Sequence, residues 1–491
     1  MALSFEQKPV DTTSKVPVIT NWNPVIGYML AQSDIAGLFY YKLILEVRKD
    51  TSAGTIIAKI KQRRNGYSPD VIGDEARAFF DLREIINSQL VNTIFDQNDN
   101  AEPFETIHKI GKNTVTLPFS KSGDSRTNTP QIAPFYVRGG EQYSTTANAV
   151  PTEFFPATPI DNTLHYLQAS LPLLTARSSS SSYIQSNAFN VYNMNSVTDR
   201  FLSDLVPDNA PYGLGSVYRN YVYWNDNETT KGDYHTVAFL NDYTAFVSSA
   251  KKIQITYYDG INATALSTNE IVNDNTTGGE DPTGTNSNDE KLIYFGCGTG
   301  NLEAQTLETT AQPSDAANSG WAYYTIQAVT GATNSTKSAL YYFIKTSLCN
   351  KGYKKRRLAW TNSVGGYDYF NFNMKSTQTT EISRNNYNTL LGKYNASKFY
   401  YNNTQRGITT RQTTAVLKEQ LNTDWITENE GILIEKLLMS TNVDIVENMD
   451  TEFTQGVVIT DSSFIKKTSA NDKLIQYTIN IEYANPINTN S

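Results

Sequence analysis

Few of the residues that could do chemistry stand at the spacings that chemistry needs. The three histidines, His108, His165 and His235, lie far apart, and none falls in an H-E-x-x-H or similar ligand arrangement. Neither a metal site nor a histidine-dependent nucleophile is therefore expected. Asp96-Gln97-Asn98-Asp99-Asn100 begins like a calcium loop, because alternate side-chain oxygens could converge on a cation. It then breaks: Ala101 stands where the sharp turn needs glycine, and Ile107 where a bidentate glutamate belongs. A polar loop is the expectation there. Lys351, Lys354, Lys355, Arg356 and Arg357 could hold phosphate, but the run is short and set in an acidic chain. A solvated turn, or contact with an acidic neighbour, fits it better. Acidic residues are plentiful, and no local motif separates a glycosidase-type carboxylate pair from surface charge. That leaves a glycine-rich segment at 291–302, K-L-I-Y-F-G-C-G-T-G-N-L, in which Gly296, Gly298 and Gly300 follow a strand-like run.

The elements that would position these residues read mostly as strands. The chain has 491 residues and a net charge of -8, with 12% aromatics including 31 tyrosines but only 18% charged residues. That is length for roughly three domains with cores of their own, and the composition is neither that of a disordered chain nor that of a bulk nucleic-acid binder. Residues 37–48 put Phe39, Tyr41, Leu43, Leu45 and Val47 on one face and Lys42, Glu46 and Arg48 on the other, a half-buried strand. Residues 55–61 follow as a second strand with a turn at Arg64, Asn65 and Gly66, and 112–119 and 135–143 read as returning strands. Phe79, Leu82 and Ile86 fall at helical spacing, so a short helix is expected within 74–90, laid over a sandwich end. Prolines 151, 156 and 159 and the serines 178–182 interrupt any period, and 146–232 reads as a loop-rich connection. Alternation resumes at 234–240 and 252–258, before the turn dipeptide Asp259-Gly260, and again at 291–295, 321–328 and 339–347. The Gly-rich stretch 273–290 has nothing to bury and reads as a surface loop. Thr427 with Glu430 gives a capping-box signature, opening a helix whose Ile434, Leu437 and Leu438 can cover a sheet. Ile475, Tyr477, Ile479, Ile481 and Tyr483 alternate with polar residues as the clearest strand of all.

These elements suggest a mainly β, multidomain chain of β-sandwich modules, immunoglobulin- or fibronectin-like, with a few short helices. The expected division is an N-terminal module 1–145, a connection 146–232, a middle module 233–348 and a C-terminal module 349–491 with one helix. Glu6 and Asp11 stand where a signal peptide would be basic and then apolar, and no window approaches about 18 uninterrupted apolar residues, so neither export by a signal peptide nor a membrane span is expected. Two thiols, Cys297 and Cys349, then fit a chain made and kept reduced in a cytoplasm.

The 291–302 segment resembles the first glycine-rich motif of S-adenosylmethionine-dependent methyltransferases, whose glycines let the backbone approach the cofactor. Its surroundings depart from that family. Tyr294 stands where an acidic residue is usual, and no following strand ends in an acidic residue to hold a ribose. A tight turn leaving a strand is preferred, with no cofactor.

A second resemblance runs through residues 234–485. The stretch from Cys349 to Phe372 combines a basic turn, L-x-W-x-N at 358–362 and G-G-Y-D-Y-F-x-F at 365–372; Y-F-G-C-G-T-G-N-L precedes it and T-x-W-I-T-E-x-E follows. In this order the motifs resemble those of uncharacterised tail or baseplate-type virion structural proteins of tailed bacteriophages. The resemblance implies a non-enzymatic structural component of a phage particle, in the tail or baseplate or else at the neck or capsid surface. Its partners would be copies of itself and other virion structural proteins, in a ring or trimer, with loops reaching neighbours or the host surface. It would be made in the host cytoplasm and reside in the virion, without direct nucleic-acid binding. Trp360, Gly365, Gly366, Tyr367, Asp368, Tyr369 and Phe370 are the residues it marks for an interface. The competing class is a carbohydrate-binding adhesin stacking sugars on Trp224, Trp321 or Trp360, but strand-like surroundings favour burial of all three.

Overall fold

A computed structural model describes residues 3–7, 18–19, 27–32, 35–49, 51–63, 75–90, 108, 119–121, 132–156, 163–167, 169, 190–192, 194, 196–205, 207, 220–225, 232–240, 250, 252–260, 264–272, 292–304, 308–331, 333–346, 353–446, 454–467, 475–485 and 487–490. The polar stretch 96–100, the turn 64–66, the serine run 178–182, the loop 273–290, Cys349 and Lys351 lie outside the described residues. The chain is mainly β, with several sheets and a few short helices. It divides into two compact units. One comprises Met1–Ser347 with Thr361–Asp368, the other Leu348–Trp360 with Tyr369–Ser491.

Two large hydrophobic cores stand out among the described residues of the first unit. In one, a three-stranded sheet (Ser4–Gln7, Gly27–Gln32, Ala76–Asp81) shares a cluster with a larger sheet built on Phe39–Lys49, Ile56–Arg63 and Ile132–Ser144. Tyr28, Leu30, Ala78 and Phe80 meet Leu43, Leu45, Val47, Phe135 and Val137, as the alternation predicts from Tyr41 onward; Phe39 is instead exposed, and Glu46, expected on the wet face, is buried. The helix expected within 74–90 is only partly there. Ala76–Asp81 is a strand paired with Gly27–Gln32, and the helix is confined to Arg83–Asn87. Burial decides it: Ala76, Ala78 and Phe80 are buried while Arg77 and Phe79 are half-exposed, a period of two that helical spacing at Phe79 obscured. The stretch 146–232 also carries strands, at Thr152–Phe154, Thr163–Leu167 and Asn220–Tyr223.

The second core lies between a five-stranded sheet (Asn220–Tyr223, Tyr341–Thr346, Tyr323–Val329, Lys252–Tyr258, Ala265–Val272) and a three-stranded one (Thr236–Leu240, Leu292–Gly296, Phe119–Lys121). Pairing of Phe119–Lys121 with Leu292–Gly296 ties segments on either side of residues 145 and 232 into one sheet. Trp224 and Trp321 are 1% and 2% exposed and belong to this core.

The second unit is organised by an eight-stranded sheet. Its order is Tyr367–Phe372, Arg356–Thr361, Val443–Val446, Thr454–Ile459, Thr478–Tyr483, Ile408–Asn422 and Thr377–Asn388, with Ile487–Asn490 also paired to Ile408–Asn422. The helix Glu428–Met439 opens with the expected capping box: the Thr427 hydroxyl accepts from the Glu430 amide, and the Glu430 carboxylate accepts from the Thr427 amide. Ile434 and Leu437 on it are fully buried.

Candidate assembly surface

The glycine-rich segment does structural work. Leu292–Gly296 ends in a turn, and a short helix, Thr299–Ala304, follows. The Thr299 hydroxyl donates to Tyr223 O (2.7 Å) and accepts from Asp233 N (2.9 Å), while Asn301 Oδ1 accepts from His235 N (2.8 Å) and Nδ2 donates to His108 O (2.9 Å). A Cβ on Gly298 would stand 2.4 Å from Asp233 O, so the glycine is required by a neighbouring backbone segment. The Cys297 thiol is buried beside it and donates to His235 O (3.5 Å). No three His, Cys, Asp or Glu side chains gather as a metal cluster among the described residues.

The seven residues marked for an interface sit elsewhere than on a free surface. Trp360, Gly365, Gly366, Tyr367, Asp368 and Tyr369 are buried within the single chain, and Phe370 alone is partly exposed. The reason is visible at the turn. A Cβ on Gly366 would lie 1.9 Å from Leu202 O, Asn362 Nδ2 donates to that same carbonyl (2.8 Å), and Tyr367 meets His108 edge to face. Asp368 accepts from Ser203 Oγ (2.5 Å) and from the Asp204 amide (2.9 Å). Burial, with the Asp204 carboxylate nearby, pushes Asp368 up to about 7. Trp360 is fully buried, so none of the three tryptophans proposed for sugar stacking offers a face.

The basic run is corrected in the same way. Arg356 and Arg357 are buried in the second unit. Arg357 Nη1 donates to Asn371 Oδ1 (2.8 Å) and its guanidinium lies 5.0 Å from the Tyr369 ring centroid. Arg356 finds its acidic neighbour inside the chain: Nε donates to Glu419 Oε1 at 2.9 Å, with the two side chains 8% and 0% exposed. Glu419 Oε2 accepts in addition from Tyr483 Oη (2.6 Å) and Gln378 Nε2 (3.0 Å). Burial alone would raise this carboxyl; Arg356, Tyr483 and Gln378 outweigh it and hold the group below its ordinary value.

These four residues come from four strands, and they mark the root of a long arm. Its outer strand, Thr377–Asn388, pairs with its inner strand, Ile408–Asn422, from Thr377 opposite Gln420 to Asn388 opposite Ile408, with one irregularity beside Asn385. Thr478–Tyr483 backs the inner strand at Lys418–Asn422 and Ile487–Asn490 backs it at Gln412–Ala415; beyond Gln412 the arm is two strands only. Every residue of the outer strand is exposed, and its outer edge has no partner among the described residues. At the far end a small hairpin, Lys393–Asn395 with Lys398–Tyr400, carries an apolar tip: Leu390 is 91% exposed, Tyr394 77% and Tyr401 65%, with Phe399, Tyr400 and Ile408 beside them. Gly392, at φ +93°, lies under the Phe399 ring and makes this turn possible.

This arm leaves little trace in the sequence. Its only signal was the β-branched threonine content of T-Q-T-T-E-I at 377–382 and I-T-T-R-Q-T-T-A-V at 408–416. A strand exposed on both faces has no apolar alternation to reveal it.

One further concavity of about 960 Å³ opens in the first unit, lined by Tyr40, Tyr41, Lys42, Arg63, Gln142 and Val150 among others. Tyr40 takes φ +56°, and its hydroxyl donates to Ala147 O. The lining holds no carboxylate, imidazole or thiol. No known protein-family model matches the chain, and no curated protein matches its sequence.

Two outcomes follow from the buried carboxyls. Glu419→Ala removes the carboxylate that Arg356, Tyr483 and Gln378 share and is expected to cost about 3–5 kcal/mol in chemical denaturation, whereas Arg356→Met combined with Glu419→Leu recovers most of that loss. Asp368 has an ordinary value of 3.8 and titrates at about 7 when folded, so between those values the folded protein holds a proton the unfolded chain has released. Stability from this group is complete at low pH and is lost as pH rises through that window. Asp444, pushed up to about 6 by burial, adds a slope of the same sign. Asp368→Asn should flatten the fall in melting temperature between about pH 4 and pH 7; an unchanged slope would refute the assignment.

Proposed function

We propose that this chain is a structural component of a bacteriophage particle, in its tail or baseplate, and that its arm joins it to copies of itself and to other virion proteins. The observation that carries this reading is the arm. A two-stranded ribbon with exposed faces buries almost nothing of its own and is marginal in water. Large apolar side chains grouped at its tip are the mark of a surface covered by another protein. Each such side chain, once buried, contributes about 1.5–3 kcal/mol. An unpaired strand edge adds main-chain donors and acceptors that a neighbouring chain can complete. The motif order across 234–485 supports placing such an assembly in a phage tail, and the charge-poor, Asn-, Thr- and Tyr-rich composition suits extended hydrogen-bonded contacts between subunits.

Light scattering on a sizing column, over a range of concentrations, tests the reading. A defined ring or multimer, or growth with concentration, is the expected result. A monomer at every concentration would overturn self-assembly.

A further inference from the structure

The arm carries charge of one sign. Residues 382–417 contain Arg384, Lys393, Lys398, Arg406 and Arg411 and no acidic residue, whereas the remaining chain has 36 Lys and Arg against 49 Asp and Glu. All five cations are exposed. The tip is thus both apolar and basic, and a surface that covers it must offer apolar area and negative charge together.

The second unit presents such a surface at the opposite end of the same strand. The inner arm strand ends at Asn422, and the chain continues through Asp424 and Trp425 into the helix Glu428–Met439. Trp425 is 59% exposed, in contrast to the buried Trp224, Trp321 and Trp360. Around it in sequence stand Asp424, Glu428 and Glu430, with no basic residue between 424 and 430. Asp424 is exposed, and Glu428 and Glu430 are half-exposed. An indole open to solvent, with Asp424, Glu428 and Glu430 within five residues along the chain, matches a tip of tyrosines and leucines beside lysines and arginines. Trp and Tyr are also the side chains that anchor interfaces best, and Trp is the best aromatic partner for a cation.

Geometry then decides between closure within one chain and contact between two. Tip and patch are separated by the 15 residues of Ile408–Asn422, a strand that runs roughly 45–50 Å when extended. Pairing with three other strands holds it extended along its length, so tip and patch lie at opposite ends of one strand and a contact between them is made between two copies. Building on the assembly reading above, we propose that the basic, apolar arm tip of one copy seats on the Trp425 patch of the next. The contact is heterologous, head to tail. Repetition closes into a ring if the rotation per subunit allows it and extends into a filament otherwise.

Two full-length variants separate the two halves of this contact. Lys393→Glu with Lys398→Glu and Arg406→Glu spoils the tip and leaves the patch; Asp424→Lys with Trp425→Ala spoils the patch and leaves the tip. All five positions are exposed, and circular dichroism with a thermal melt verifies that each variant folds. Leu390→Ser with Tyr394→Ser serves as a second tip variant that changes no charge. In analytical ultracentrifugation each variant alone is expected to associate at least about tenfold more weakly than wild type, and wild-type association to weaken as salt screens the charges. Mixed one to one, the charge-reversed tip variant and the patch variant should form a dimer through their one intact pair of surfaces and grow no further. Wild-type-like association of either variant alone, or a mixture that stays monomeric, would overturn the proposal while leaving self-assembly standing. A monomeric wild type would instead retire the assembly reading on which it rests.

Discussion

A carboxylate with no access to water holds the arm to its unit. Glu419 sits on the inner strand exactly where the arm leaves the wider sheet, and it ties together Arg356, Gln378 and Tyr483, one residue from each of three other strands. A charge buried this deeply is tolerated only when its lone pairs are filled, and the guanidinium, amide and phenol fill them. The consequence is geometric. Register between the arm strands and the body of the sheet is fixed at the root, so the remaining ribbon is held in register although, among the described residues, no third strand backs it beyond Gln412. Asn422 Nδ2, donating to Lys375 O at 2.7 Å, secures the outer strand at the same level.

Beyond that root, the arm departs from how exposed strands are usually protected. The outer strand has no proline, and its only charges are Glu381, paired with Lys418 of the inner strand, and Arg384. Threonine and asparagine fill most other positions, so the edge is polar yet neither kinked nor strongly charged. In an isolated subunit such an edge invites association, and in an assembly it supplies it. The same economy holds at the tip, where Gly392 allows Phe399 to fold over the turn while Leu390 and Tyr394 remain outside.

What the sequence made legible followed from burial. A strand with one dry face, Lys252–Tyr258, announced itself by alternation, and the Thr427–Glu430 box announced a helix by local chemistry. Where a large apolar side chain stood on the wetter face, or burial was absent, the pattern misled. Ala76–Asp81 carries Phe79 and Phe80 on opposite faces, so a strand imitated a helical stripe. Charge misled in part: a solvated turn fails for the buried Arg356 and Arg357, and the acidic neighbour that Arg356 does meet, Glu419, is 63 residues away, as Asn371 is 14 from Arg357. The conspicuous aromatic and glycine motif at 360–370 proved to serve internal packing. The surface proposed for assembly lies in a threonine-rich stretch with no motif at all.

The most direct measurement is amide hydrogen exchange across residues 377–425, compared between dilute protein and protein at the concentration where it associates. Slower exchange on association in the outer strand, in the tip at 389–407 and around Trp425, with the two cores unchanged, is the expected result. Equal exchange of the arm in both samples, with protection gained only elsewhere, would contradict the arm as the element that joins subunits.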